Sequence, residues 1–140
     1  MKNLFYCFST LALLGCNSSS PYEKYLKEIN NVTKESCAAG FTYTFSATNG
    51  ILTVNYDTPN TEPATCSGKL KDLQFGWNTL DGDVEQGIDH EVTISCENTN
   101  NNNCFTCKGG SWPTFRIEIK GEMSAEHLLD NLNYLKQAEQ

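Results

Sequence analysis

Chemical potential in this chain is concentrated in its cysteines and in one acidic run. Seven cysteines occur in 140 residues. Cys37, Cys66, Cys96, Cys104 and Cys107 lie in the polar body of the chain, where an oxidising compartment would join them as disulfides. Five is odd, so at least one thiol stays free or serves otherwise. The candidate pairs are Cys37 with Cys66, and Cys96 with Cys107 or Cys104. By loop-closure entropy the first would contribute about 3–4 kcal/mol and the second roughly 3 kcal/mol. Cys104-Phe105-Thr106-Cys107 has the spacing of a dithiol exchange motif, but such motifs need a helix N-terminus to activate the first sulfur. Here Asn-rich sequence precedes and Lys108-Gly109-Gly110 follows, so structural disulfides are the better reading. Zinc is a poor fit, because three cysteines have no evident fourth ligand at metal-binding spacing.

The acidic run is Asp81-Gly82-Asp83-Val84-Glu85-Gln86-Gly87-Ile88-Asp89-His90-Glu91. Several carboxylates invite a hard cation, yet the glycine falls one place late for a calcium-binding EF loop and Val92 stands where its bidentate Glu belongs. No metal is assigned. Besides a plain solvated connection, Asp81, Asp83, Glu85, Asp89 and Glu91 are candidates for contact with a protein partner of basic surface. In that role they would speed encounter, and aromatic neighbours such as Trp77 or Trp112 would hold the complex. Alternation along residues 88–96 turns His90 inward with Ile88, Val92, Ile94 and Cys96, and Asp89, Glu91 and Thr93 outward. His90 is thus expected to be structural, and His127, in the first turn of a C-terminal helix, to lie at the surface. Neither histidine belongs to a hydrolase or metalloprotease signature, and phosphate-cradling and dinucleotide fingerprints are absent. The chain is read as a non-enzyme with no cofactor.

The elements that must position these residues are legible in outline. Ser20-Pro21-Tyr22-Glu23 offers a capping box with proline at the first helical position. Tyr22, Tyr25, Leu26, Ile29 and Val32 then form one apolar stripe, with Gly40 as a stop. Phe41–Phe45 and the set Leu52, Val54, Tyr56 alternate about Asn49-Gly50, the pair favoured by type I′ hairpins. Further strands are expected at residues 73–77, 88–96 and 115–119. Ser124 could cap a last helix carrying Leu128, Leu129, Leu132 and Leu135. The expected architecture is α+β: an antiparallel meander of four to six strands with an N-terminal and a C-terminal helix on one face, stapled by disulfides.

At the N-terminus, Lys2 precedes an apolar stretch from Leu4 to Leu14 that closes on Leu13-Leu14-Gly15-Cys16. This resembles the signal peptide and lipobox of bacterial lipoproteins, and it is too short to cross a bilayer as a helix, which takes about 20 apolar residues. The resemblance covers residues 1–16. It implies removal of residues 1–15, diacylglycerol on the Cys16 sulfur with acylation of the new N-terminus, and an oxidising envelope compartment. Asn17 implies transfer to the outer membrane, facing the periplasm. Residues 16–19 would form a short tether and residues 20–140 one domain. Two or three acyl chains make detachment negligible, since each buried methylene contributes about 0.8 kcal/mol. The whole chain carries a formal charge of −7, and loss of Lys2 with the signal makes the remainder more acidic still. Such a charge disfavours nucleic acid and suits a basic protein partner. Size, address and charge together suggest an inhibitor or immunity protein against an envelope-targeting enzyme or toxin, or alternatively a structural or assembly lipoprotein.

Overall fold

The structure is a computed structural model describing residues 22–80, 87–97 and 103–139. The expected signal segment, Cys16, the expected tether, Ser20, Pro21, Asp81, Asp83 and Glu85 lie outside the described residues. Among the described residues two helices and eight antiparallel strands follow in the order α1 (Glu23–Ser36), β1 (Thr42–Thr48), β2 (Ile51–Thr58), β3 (Thr61–Lys69), a 3-10 turn (Leu70–Asp72), β4 (Leu73–Thr79), β5 (His90–Cys96), β6 (Phe105–Cys107), β7 (Gly110–Trp112), β8 (Thr114–Ile119) and α2 (Glu122–Gln137). The α+β class with terminal helices holds. The strands divide, however, between a five-stranded sheet ordered β1-β2-β3-β6-β7 and a three-stranded sheet ordered β4-β5-β8.

Helix α1 buries the stripe its spacing requires: Ile29, Val32 and Tyr22 are buried, with Tyr25 and Leu26 packed against the core. It begins at Glu23 with no side-chain cap and ends at Ser36, while Gly40 takes φ +86° in the turn beyond. The last helix starts at Glu122 behind Gly121 (φ +79°) rather than at Ser124, whose hydroxyl instead accepts a 3.0 Å hydrogen bond from Ser36. The helices run antiparallel. Tyr25 stacks on Tyr134 at 5.7 Å and the Tyr22 hydroxyl donates to Glu139 at one end; Ser36 meets Ser124 at the other.

Asn49 (φ +50°) and Gly50 (φ +72°) both adopt the left-handed backbone that a type I′ turn demands, and they set the β1–β2 register of Ala47↔Leu52 and Phe45↔Val54. The inner face of the large sheet is therefore Tyr43, Phe45, Leu52, Val54, Cys66 and Phe105, all buried. Its outer face carries one cross-strand row of hydroxyls, Ser46↔Thr53↔Ser67↔Thr106↔Ser111. Gly68 lets β6 approach: a Cβ there would lie 2.6 Å from the Cys104 carbonyl oxygen. Phe115 of β8 knits the two sheets together, its ring 5.2 Å from Tyr56, 5.6 Å from Phe105 and 6.1 Å from Tyr43.

The disulfides correct the expected pairing. Cys66 bonds to Cys107, its directly opposed partner on β6, with Cα atoms 4.0 Å apart, and not to Cys37. Cys96 bonds to Cys104, one of its two candidates, and ties the end of β5 to the start of β6. Among the described residues Cys37 is the free thiol.

Candidate functional site

The base of the acidic connection is built by the β4–β5 hairpin. Thr79 pairs with His90 at the end of the ladder, and the Leu80 N–H donates to the Asp89 carbonyl at 2.8 Å. Leu80 and Asp89, on either side of the acidic connection, are thus held side by side. Asp89 is fixed from two sides: its Oδ1 lies 2.8 Å from His90 Nδ1 and accepts the Gly121 N–H at 2.7 Å. The adjacent His90 ring and then the Gly121 N–H hold the Asp89 carboxyl below the usual carboxylate range. His90 itself is 7% exposed, its ring 5.2 Å from that of Trp77. Its Nδ1 finds no hydrogen bond of proper direction, so the approach to Asp89 is an electrostatic contact. The inward turn of His90 expected from alternation is what the fold contains. His127 is exposed, in the second turn of α2 because that helix begins earlier than expected.

Glu91 departs from expectation. Alternation puts it on the outer face of the small sheet, yet it is only 9% exposed: Asn78 donates to its Oε1 at 3.4 Å and Arg116 lies 3.6 Å from its Oε2. A central strand flanked on both sides buries even its outward carboxylate. Of the five partner-contact candidates, Asp89 is partly exposed and tied at the base, Glu91 is enclosed, and Asp81, Asp83 and Glu85 lie outside the described residues. Trp77 is half-buried on the same hairpin as the acids, whereas Trp112 is 54% exposed on β7.

Cys104 and Cys107 belong to different disulfides, so neither faces the other as an exchanging pair. Cys37 forms a bridge to Ile119 of β8. Burial, aided by the Glu118 charge, pushes its thiol up to about 12, which suppresses the nucleophilic thiolate at neutral pH. Among the described residues no group of three or more His, Cys, Asp and Glu is arranged to hold a metal ion, and no helix is long and apolar enough to cross a membrane.

Charge is distributed unequally between the two ends of the helix pair. Around the α1 N-terminus, the α2 C-terminus and the Asn49-Gly50 turn, Lys24, Lys27, Lys69, Lys71 and Lys136 are balanced by Glu23, Glu28, Asp72, Glu97 and Glu139. At the other end, where the β4–β5 hairpin emerges, Lys34, Lys120 and Arg116 face Glu35, Asp89, Glu91, Glu118, Glu122 and Glu126, before the acids of residues 81–86 are added. The sequence did not announce this polarity, because it depends on which strand ends the topology brings together. What the fold defines, over the described residues, is an α+β protein of two antiparallel sheets in which four cysteines are joined as Cys66–Cys107 and Cys96–Cys104. Neither a family model, nor a curated protein, nor a solved structure matches the chain.

Proposed function

We propose that this chain is a lipid-anchored protein of the bacterial envelope, held through acyl groups on Cys16, whose acidic end binds and blocks a basic enzyme or toxin that attacks the envelope. The observation that carries the reading is the concentration of carboxylates at the end of the helix pair opposite the α1 N-terminus, the end to which the tether connects. An anchored inhibitor needs its contact surface directed away from its anchor. The hairpin base supports this role: the ladder to Thr79↔His90 and the Leu80 to Asp89 hydrogen bond fix the two points between which the acidic connection runs. Trp77 supplies a half-buried aromatic beside it, suited to an anchor contact. Several carboxylates in one connection favour a cationic active-site cleft through steering and register.

A second reading, an envelope assembly lipoprotein, draws on one observation: β7 ends the large sheet with Trp112 54% exposed, an edge onto which a strand of a larger complex could add. Co-purification from detergent-solubilised envelopes separates the two. With Asp81→Lys, Asp83→Lys and Glu85→Lys combined, a basic partner retained by the unaltered protein is expected to be lost, its association slowed about tenfold or more. Retention that survives the charge reversal and disappears with Trp112→Ala overturns the inhibitor reading in favour of assembly.

A further inference from the structure

The end of the molecule opposite the acidic hairpin has its own surface chemistry, and the geometry points to a lipid headgroup layer as its partner. This inference rests on the lipoprotein reading above. Six peptide steps separate Cys16 from Tyr22, the first described residue, so the α1 N-terminus stays within about 20 Å of the acylated residue even with the chain fully extended. A leash that short keeps the groups around that terminus within reach of the bilayer surface. Tyr22 contacts Glu139 of the α2 C-terminus, and Gly50 packs so closely on Glu139 that the Asn49-Gly50 turn belongs to the same end.

The groups presented there suit a headgroup layer. Ile51 is 44% exposed and directly opposes Lys69 across the β2–β3 ladder; Lys69 and Lys71, both exposed, line a shallow depression of about 260 Å³ with Asn49, Gly50, Ile51 and one carboxylate, Glu139, so two ammonium groups there outnumber a single acid. On the far side of Glu139, Tyr134 is 49% exposed and stacks on Tyr25, over which Lys24 Nζ sits 5.6 Å from the ring centroid. Tyrosines and lysines with an apolar tip are the residue types that settle at a membrane interface: ring and methylene stems enter, and ammonium groups meet phosphates. The charge balance at this end matters equally. In a chain of net charge −7, this is the end where lysines match carboxylates in number, so it is the face least repelled by anionic lipid. The body accordingly stands on Ile51, Lys69, Lys71 and the Tyr25–Tyr134 stack, with the long axis of α1, about 21 Å, directed away from the bilayer.

The test uses the full-length acylated protein, reconstituted in vesicles of phosphatidylethanolamine and phosphatidylglycerol, and the same protein in non-ionic detergent micelles, where no phosphate faces it. Lysine acetylation is followed site by site by mass spectrometry. Lys69 and Lys71 are expected to react about fivefold more slowly on vesicles than in micelles, matching the roughly 1 kcal/mol of a lysine at an anionic surface, while Lys34 and Lys120 react alike in both. Equal rates at all four lysines, or protection of Lys34 and Lys120 instead, overturn the orientation. The same spectra read the mass of residue 16. An absent acyl mass defeats the lipoprotein reading; an acyl mass with Lys69 and Lys71 unprotected leaves the anchor in place and defeats only the docking surface.

Discussion

The two sheets of this protein face the same physical problem, unpaired strand edges, and close them differently. In the five-stranded sheet, the free edge of β1 is occupied by a side chain of α1: Asn30 Nδ2 donates to the Phe45 carbonyl at 3.0 Å and Asn30 Oδ1 accepts the Phe45 N–H at 2.7 Å, so the amide replaces a strand residue. Thr33 adds a 3.4 Å hydrogen bond to the Tyr43 carbonyl. The middle of that sheet is cross-linked by Cys66–Cys107. In the three-stranded sheet no disulfide joins neighbouring strands. Lys136 Nζ reaches the Leu73 carbonyl at 2.6 Å on one edge, the Lys120 N–H donates to Ser36 at 2.7 Å on the other, and polar pairs hold the outside of β5. The large sheet is thus secured covalently and by neutral amide pairing. The small sheet, which carries the acidic connection, is held by a lysine on one edge, a backbone hydrogen bond on the other and polar pairs outside β5. At its base the Asp89 carboxyl is held below the usual carboxylate range, so the sheet proposed to meet a partner draws from it a stabilisation that fades at low pH.

The comparison breaks most severely at the disulfides. Cys66 and Cys107 are 41 residues apart, and replacing both with Ala is expected to cost about 4 kcal/mol by loop-closure entropy. Cys96 and Cys104 are 8 apart, and their double replacement is expected to cost about 2.5 kcal/mol. Urea unfolding followed by fluorescence checks this, with Trp77 reporting on the small sheet and Trp112 on the large one. Both tryptophans should shift together, because Phe115 joins the two inner faces. Separate transitions would mean that the sheets are independent units.

A sharper test concerns the edge of β1. Asn30→Ala leaves one N–H and one carbonyl of Phe45 without their partner in a part-buried place, an expected loss of about 2 kcal/mol in the same urea experiment. Asn30→Asp keeps the acceptor for the Phe45 N–H but turns a donor into a repelled oxygen, so it should recover little of that loss. If Asn30→Ala proves neutral, the edge is closed by packing alone.

Asn30 also marks where sequence reasoning stopped. The helix stripe, the Asn49-Gly50 hairpin and the strands at residues 73–77 and 115–119 were legible because one buried face imposes a period on the sequence, 3.6 for Ile29 and Val32, 2 for Leu52 and Val54. β3 was not legible: its first residues are nearly all exposed, and Pro63 and Gly68 read as turn residues. β6 and β7, three residues each, are too short to show a period at all, and without them the five-stranded sheet and its Cys66–Cys107 bond stay hidden. An asparagine in the middle of a helix was the available hint, since Asn is a poor helix former unless its side chain has a backbone to bind. At the candidate site, the inward turn of His90 followed from alternation, but the burial of Glu91 did not. That burial comes from Asn78 and Arg116, which alternation within β5 cannot foresee.

The smallest expected effect tests the electrostatic half of the comparison. Asp89 sits at the base of the acidic connection with its carboxyl held below the usual range by His90 and by the Gly121 N–H. A carboxyl lowered in the folded state stabilises that state above its unfolded pKa, and the stabilisation fades as pH falls through the lower, folded value. The unaltered protein should therefore melt slightly above Asp89→Asn at pH 6, the two curves converging as pH is taken below the ordinary carboxylate range near 3.8. Because the carboxylate is partly exposed, the difference should also shrink in high salt. A gap between the two proteins that persists unchanged at low pH would show that Asp89 acts through its shape and its hydrogen bond to Gly121, not through charge. In that event the small sheet would owe its closure to the same neutral pairing that Asn30 provides for the large one.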